Sequence, residues 1–223
     1  MFSSDGGTTW SNELGVDNQG LPGDIIYNSN AGKFYAAIHG QASQDAGVWS
    51  SSDGDSWTQV RTTANLSAGG VNRIVLSNAA NTSAVLVMYQ LVSAFTCTNG
   101  GSSEVGLQHF DGASTWTNHT DKISNCTNAY TADDALPTQI KLQGGYNMVL
   151  TSKPNDPDLI YLGGTESYRY NLSTNDYEFI GGSQLEANAV NLHVDNHIMM
   201  FEPSSNDIMW SGNDGGLRRT DVT

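Results

Sequence analysis

Two imidazoles and a carboxylate stand at alternate positions in Leu192-His193-Val194-Asp195-Asn196-His197. On an extended chain, positions i, i+2 and i+4 point the same way, so His193, Asp195 and His197 would share one side of a strand. Such a set suits three roles: ligating a divalent metal, contacting a ligand or substrate, or sealing a hydrogen-bonded polar cluster. A few residues on comes Gly212-Asn213-Asp214-Gly215-Gly216, in which Asn213 and Asp214 sit in a turn of the kind that Asp and Gly build.

The elements that must carry these residues announce themselves by repetition. Ser3-Ser4-Asp5-Gly6-Gly7-Thr8-Thr9-Trp10 is echoed by Ser51-Ser52-Asp53-Gly54-Asp55-Ser56-Trp57 and by His109-Phe110-Asp111-Gly112-Ala113-Ser114-Thr115-Trp116. In each, Asp can accept backbone N–H groups two residues on, Gly supplies the positive φ, and the Trp ring can cover a neighbouring sheet. A second repeat, Lys153-Pro154-Asn155-Asp156 through Tyr161, returns as Glu202-Pro203-Ser204-Ser205 through Trp210. Both repeats have periods of roughly 50 residues, the spacing of propeller blades built from several short strands.

The three turns resemble Asp-boxes, the BNR repeat Ser-x-Asp-x-Gly-x-Thr-Trp. The first copy matches throughout, with Ser3, Asp5, Gly7, Thr9 and Trp10. The second is one residue short between Asp53 and Trp57, and the third keeps Asp111 and Trp116 but has His109 for Ser and Ala113 for Gly. In the resembling families the box marks the outer hairpin of a β-propeller blade and lies far from the active face. The expected fold is therefore all-β, a propeller of four-stranded antiparallel blades with three full blades and two partial ones. The whole chain, 1–223, reads as one propeller segment. Its blades fall near 1–14 (partial), 24–61, 71–119, 146–181 and 193–223 (partial). Expected strands are 24–28, 33–39, 47–51 and 56–61, then 73–77, 84–92, 104–109 and 115–119. The third blade runs 147–152, 159–163, 167–170 and 177–180, with a degenerate turn at 171–176, and the last 197–201, 207–211 and 216–220. Phe2–Asp5 and Arg218–Asp221 both read as the close of a third strand. The segment is thus expected to belong to a larger propeller whose other blades, or a partner, cover its exposed blade edges.

Blade topology also sorts the loops. If the Asp turn joins strands three and four on one face, the strand-two-to-three loops and the links between blades share the opposite face. Asp214, Asn213 and the His193–His197 run fall on that opposite face. So do Cys97 and Cys126, the only two cysteines of the chain. Both lie in polar stretches, which favours a Cys97–Cys126 disulfide over two free thiols, and they are too few for a zinc site. The His-x-Asp-x-His run with the Asn-Asp-Gly-Gly turn resembles propellers of the sortilin-like and family 74 xyloglucanase-like superfamily. The xyloglucanase resemblance implies that Asp214 would serve as a catalytic carboxylate. Glycoside hydrolysis then needs a second carboxylate roughly 5–10 Å away across the sugar. Glu166, Asp45 and Asp195 are on the right face for that partner, and nothing in the sequence singles one out. Sialidases share the Asp-boxes, but they grip their substrate with three arginines and begin with a Phe/Tyr-Arg-Ile-Pro motif. Here that motif is absent, and Arg218 and Arg219 point to opposite faces of one strand. Trp49, Trp57, Tyr35, Tyr89 and Trp210 follow strand alternation and read as inter-blade core.

Composition narrows the partners. A net charge of −14 argues against nucleic acid, whose phosphates need clustered cations. No run is long and apolar enough to insert in a bilayer, and the N-terminus lacks a signal-peptide pattern, so any export signal would lie outside this segment or have been removed. The sequence points to an extracellular or cell-surface propeller that recognises glycan or protein through its long-loop face, or to a fragment of a glycoside hydrolase. A divalent metal at His193, Asp195 and His197 is the one cofactor it suggests.

Overall fold

Apolar residues in this chain come in short runs of four to eight between Gly-, Asn- and Asp-rich turns, the pattern of strands buried on both faces. A computed structural model of the chain describes residues 3–11, 20–40, 45–68, 70–96, 102–123, 140, 142–143, 145–181 and 192–222. Its strands form four antiparallel sheets, each ordered as the chain runs. The first holds β1 (Leu21–Asn28), β2 (Lys33–His39), β3 (Gly47–Ser51) and β4 (Thr58–Thr62), followed by the one-turn helix α1 (Thr63–Leu66). The second holds β5 (Val71–Asn78), β6 (Val85–Thr96), β7 (Ser102–Phe110) and β8 (Trp116–Asn118), followed by α2 (Thr120–Ile123). The third holds β9 (Val149–Lys153), β10 (Asp156–Gly163), β11 (Ser167–Asn171) and β12 (Tyr177–Gly181), and the fourth β13 (Asn196–Phe201), β14 (Ile208–Asn213) and β15 (Gly216–Asp221). The four sheets are the blades of a β-propeller, with β1, β5, β9 and β13 innermost.

Blades need two apolar faces because each is sandwiched between neighbours. β6 shows how one strand serves both. Val85, Val87 and Tyr89 pack with Tyr35, Ala37 and Val48 of the first blade, whereas Leu86 and Met88 pack with Ile160, Leu162 and Tyr168 of the third. A smaller cluster of Val149, Tyr161, Met199 and Met209 joins the third blade to the fourth. Each fully buried Leu, Val or Met here contributes about 1.5–3 kcal/mol. The inner strands pack in succession, β1 on β5, β5 on β9 and β9 on β13, and among the described residues no comparable packing joins β13 to β1.

The aspartate turns form as hydrogen-bonded knots. Asp111 Oδ1 accepts the N–H groups of Ala113, Ser114 and Thr115 at 2.8, 2.8 and 2.9 Å. Asp53 Oδ1 accepts those of Asp55 and Ser56, and Asp5 Oδ1 that of Thr9. The Thr9 hydroxyl and N–H hold the Asp5 carboxyl down to about 2, and the Thr115 and Ala113 amides hold Asp111 lower still. Gly6, Gly54 and Gly112 take φ values of 70°, 81° and 84°, the conformation these turns require. In the third blade Asn171 replaces the carboxylate and accepts Ser173 and Thr174 N–H.

The tryptophans behave differently from the expectation that each buries its ring against a sheet. Trp116 does stack on Phe110, 4.6 Å away, with Arg61 over its face. Trp57 is half-buried, and Trp10 is 60% exposed, its Nε1 donating to Gly7 O within its own turn. Tyr35 and Tyr89 are buried core, as their alternation predicted, while Trp49 and Trp210 are half-buried.

Candidate functional site

In each blade the innermost strand starts on the face opposite the aspartate turns, so its first residues ring one mouth of the central channel. Asp24, Arg73, Met148 and His197 occupy those positions and line a cavity of about 310 Å³. Asp24 joins two blades at this mouth: Oδ1 accepts Ile25 N–H at 2.8 Å and Oδ2 accepts Leu76 N–H at 2.9 Å. His39 lies beside them, its imidazole pushed below the usual value by burial and by the Arg73 charge.

The run from His193 to His197 is not the continuous strand that alternation suggested. β13 begins only at Asn196, and Asp195 takes φ = 63°, a left-handed turn that Asp tolerates better than most residues. The turn rotates the three side chains away from one another. His193 Nδ1 lies 3.1 Å from Val194 O, and its Cβ seats against Gly215. Asp195 Oδ1 accepts Asn147 Nδ2–H at 2.9 Å. His197 alone turns toward Asp214. Among the described residues, no three His, Cys, Asp or Glu side chains gather as a metal-holding group.

The turn exists because Asn196 anchors it. Asn196 is fully buried; its N–H and Nδ2 both donate to Gly164 O, and its Oδ1 accepts the Ser167 hydroxyl at 3.1 Å. Asp195 N–H donates to Thr165 O, which completes a seam between the fourth blade and the β10–β11 turn of the third. Asn147, also fully buried, reaches Thr165 Oγ1 and Asp195 Oδ1 from the start of the third blade. Two of the five residues in the His193–His197 run therefore build the seam.

What the seam presents is a row of three side chains. His197 donates from Nε2 to Asp214 Oδ1 at 2.7 Å; the carboxylate can only accept, so the proton sits on Nε2. The Tyr146 ring meets the His197 ring edge-on, with centroids 5.0 Å apart and planes at 75°. Tyr146 is 65% exposed and the Asp214 side chain 53%, so an aromatic face and a carboxylate both reach solvent. Arg73 fixes the Tyr146 backbone by donating to the carbonyls of Gly145 and Tyr146. Sequence reasoning missed Tyr146 and Arg73. The Gly145-Tyr146 step just before an inner strand was the only local signal, since their meeting with His197 is made by the fold.

The remaining candidates divide. Asn213 is buried and accepts Gly215 N–H at 3.0 Å, so it shapes the β14–β15 turn that presents Asp214. Glu166 is 2% exposed, in the β10–β11 turn of the seam. Asp45 lies in the matching turn of the first blade, where its carbonyl accepts Trp49 Nε1–H. Cys97 and Cys126 lie outside the described residues.

No protein-family model and no curated protein matches the chain. Solved structures do. The extracellular domain of a hybrid two-component system from B. thetaiotaomicron superposes with a TM-score of 0.52 and 14% identity, over 94% of this chain and 21% of that one. A GH74 xyloglucanase from Xanthomonas campestris gives 0.53 and 12%, over 89% and 27%. A GH74 enzyme from Niastella koreensis gives 0.50 and 14%, over 98% and 31%. These likenesses show the propeller fold, and the chain spans at most 31% of the length of these three structures.

Proposed function

We propose that this chain is a recognition module of an extracellular or cell-surface propeller of the Asp-box type, binding glycan at the mouth opposite its aspartate turns. The observation that carries the reading is the row of Tyr146, His197 and Asp214. An exposed aromatic ring beside a carboxylate and an imidazole is suited to a sugar, whose C–H face lies on the ring while its hydroxyls donate to the carboxylate. The extracellular domain among the structural neighbours supports the location, and no described helix is long and apolar enough to cross a membrane.

Hydrolysis is the second reading, resting on Asp214 and on the xyloglucanases among the neighbours. It asks for a second, available carboxylate. At this mouth Asp24 already accepts two backbone amides, Asp195 accepts Asn147, and Glu166 is buried. Asp214, 53% exposed in the row with His197 and the Tyr146 ring, suits holding a hydroxyl better than cleaving a bond without such a partner. Electrophoresis of the chain through gels cast with soluble xyloglucan, mixed-linkage glucan or arabinoxylan separates the two. Retarded migration in at least one gel, abolished in Asp214→Ala and Tyr146→Ala, is the expected result. Release of reducing ends that disappears in Asp214→Asn would replace it with the hydrolase reading, and no retardation in any gel would end the glycan reading.

A further inference from the structure

The described residues include eight large apolar side chains that are exposed, and five of them lie on two surfaces. Ile25 and Tyr27 cover the side of β1 turned away from the second blade, and Ile198, Met200 and Leu217 cover the side of β13–β15 turned away from the third. These are the two end faces of the four-blade arc. A propeller blade has one face for the blade before it and one for the blade after it, so each end face can be compared with its buried equivalents inside the arc.

The comparison is direct on the innermost strands. Ile74 and Leu76 of β5 pack toward the first blade, while Val75 packs toward the third. In β1, Ile26 packs with the cluster between the first and second blades, which leaves Ile25 and Tyr27 in the places that Ile74 and Leu76 fill one blade later. In β13, Met199 and Phe201 pack back on the third blade, so Ile198 and Met200 occupy the forward position that Val149 holds in β9 and Val75 in β5. The fourth blade thus ends in a forward face and the first begins with a backward face, the two halves of the contact that already repeats three times within the chain. None of the three apolar clusters joins them to each other.

We infer that these faces close on a second copy of this chain, the forward face of one copy against the backward face of the other, to make a two-fold ring of eight blades. Eight blades is within the size range of propellers, and the same two faces used twice close the ring without leaving a free end. The interface extends a packing mode that the chain already uses, with Ile25 and Tyr27 of one copy set against Ile198 and Met200 of the other.

Sedimentation and light scattering on the 223-residue chain test this directly. A dimer is expected, and Ile25→Asp or Met200→Asp alone each weakens dimerisation by at least about tenfold with an unchanged circular dichroism spectrum. Mixing the two variants in equal amounts restores part of the dimer, because the mixed pair keeps one intact forward–backward contact. Dimers that survive either single substitution would indicate a like-on-like contact and overturn the proposal. A chain that stays monomeric overturns it too and assigns the faces to blades supplied by another polypeptide segment. Open polymers, growing with concentration, would refute the closed ring.

Discussion

His197 Nε2 lies 2.7 Å from Asp214 Oδ1, tying the first turn of the fourth blade's inner strand to the tip of its second hairpin. The pair is accessible on both sides, and exposed ion pairs contribute only about 0–1 kcal/mol to folding. Its removal should therefore act on the ligand far more than on the fold. Asp214→Asn and His197→Ala are expected to melt within about 1 kcal/mol of the parent while polysaccharide affinity falls on the order of tenfold. Thermal denaturation beside affinity electrophoresis checks both halves.

Asn196 should show the opposite balance. It is solvent-free and supports Gly164 O, the Ser167 hydroxyl and the turn that aims His197. Asn196→Ala leaves the buried Ser167 hydroxyl without this acceptor and Gly164 O with only the backbone N–H of residue 196, which costs about 1–3 kcal/mol. Urea unfolding should show a lower midpoint at an unchanged slope. A shift below about half a kcal/mol would mean that water or another side chain takes over these bonds.

The contrast between these residues explains how much the sequence discloses. The strands Lys33–His39 and Gly47–Ser51 stand where their short runs between turn residues put them, because a strand pressed between two blades is buried on both faces and reads as one continuous run. The aspartate turns are equally legible, since a short polar side chain, a glycine and a tryptophan have to follow one another locally. His193, Asp195 and His197 misled because alternation presumes an extended backbone, and Asp195 bends the chain at φ = 63° to satisfy Thr165 and Asn147 in a different blade. Tyr146 stayed invisible for the same reason: 51 residues separate it from His197, and only the meeting of the third and fourth blades makes them neighbours. Helices α1 and α2 are single turns set by local caps such as Thr62, whose hydroxyl accepts Asn65 N–H, and carry no periodicity to detect.

Gly106 on β7 marks a close approach that only glycine allows. A Cβ there would lie inside the Tyr89 ring, and Tyr89 cannot retreat, since its hydroxyl donates to Leu66 O at 3.0 Å and accepts from Gln108. Gly106→Ala should destabilise the protein by about 3 kcal/mol, the upper end of overpacking effects. The double variant Gly106→Ala/Tyr89→Phe, measured by the same urea titration, should recover little, because the clash is with the ring and not the hydroxyl.

The aspartate turns should differ in what they hold. Asp111 closes the hairpin between β7 and β8 inside the second blade, whereas Asp5 knots a turn whose described residues are exposed or nearly so. Asp111→Ala is expected to lower the melting temperature clearly, and Asp5→Ala to leave it unmoved. Both carboxyls have folded values depressed below the unfolded one, so what they contribute is present above about pH 4 and lost as pH falls through the folded value. A melt at pH 7 ranks the two, and equal losses would contradict the ranking.

His119 governs a separate and higher pH window. It is buried at the contact of the second and third blades, with Nδ1 3.2 Å from Tyr170 Oη. Tyr170 gives its single proton to Asn175 Oδ1 at 2.9 Å, so its oxygen accepts from His119 and the neutral imidazole carries its hydrogen on Nδ1. Burial first, then the His109 ring 6.4 Å away and Lys122, push His119 down to about 4, against a smaller upward pull from Asp158. Burial pushes His109 downward as well. The unfolded chain therefore takes up protons as pH drops below about 6.5, while the folded chain does not until about 4. Stability is full above about pH 6.5 and declines between there and about 4, by up to roughly 3 kcal/mol for His119 alone. His119→Gln should be less stable at pH 7, having lost the fitted ring, yet its melting temperature should fall less steeply from pH 7 to pH 4.5. Parallel profiles for the parent and His119→Gln would show that the acid sensitivity originates elsewhere.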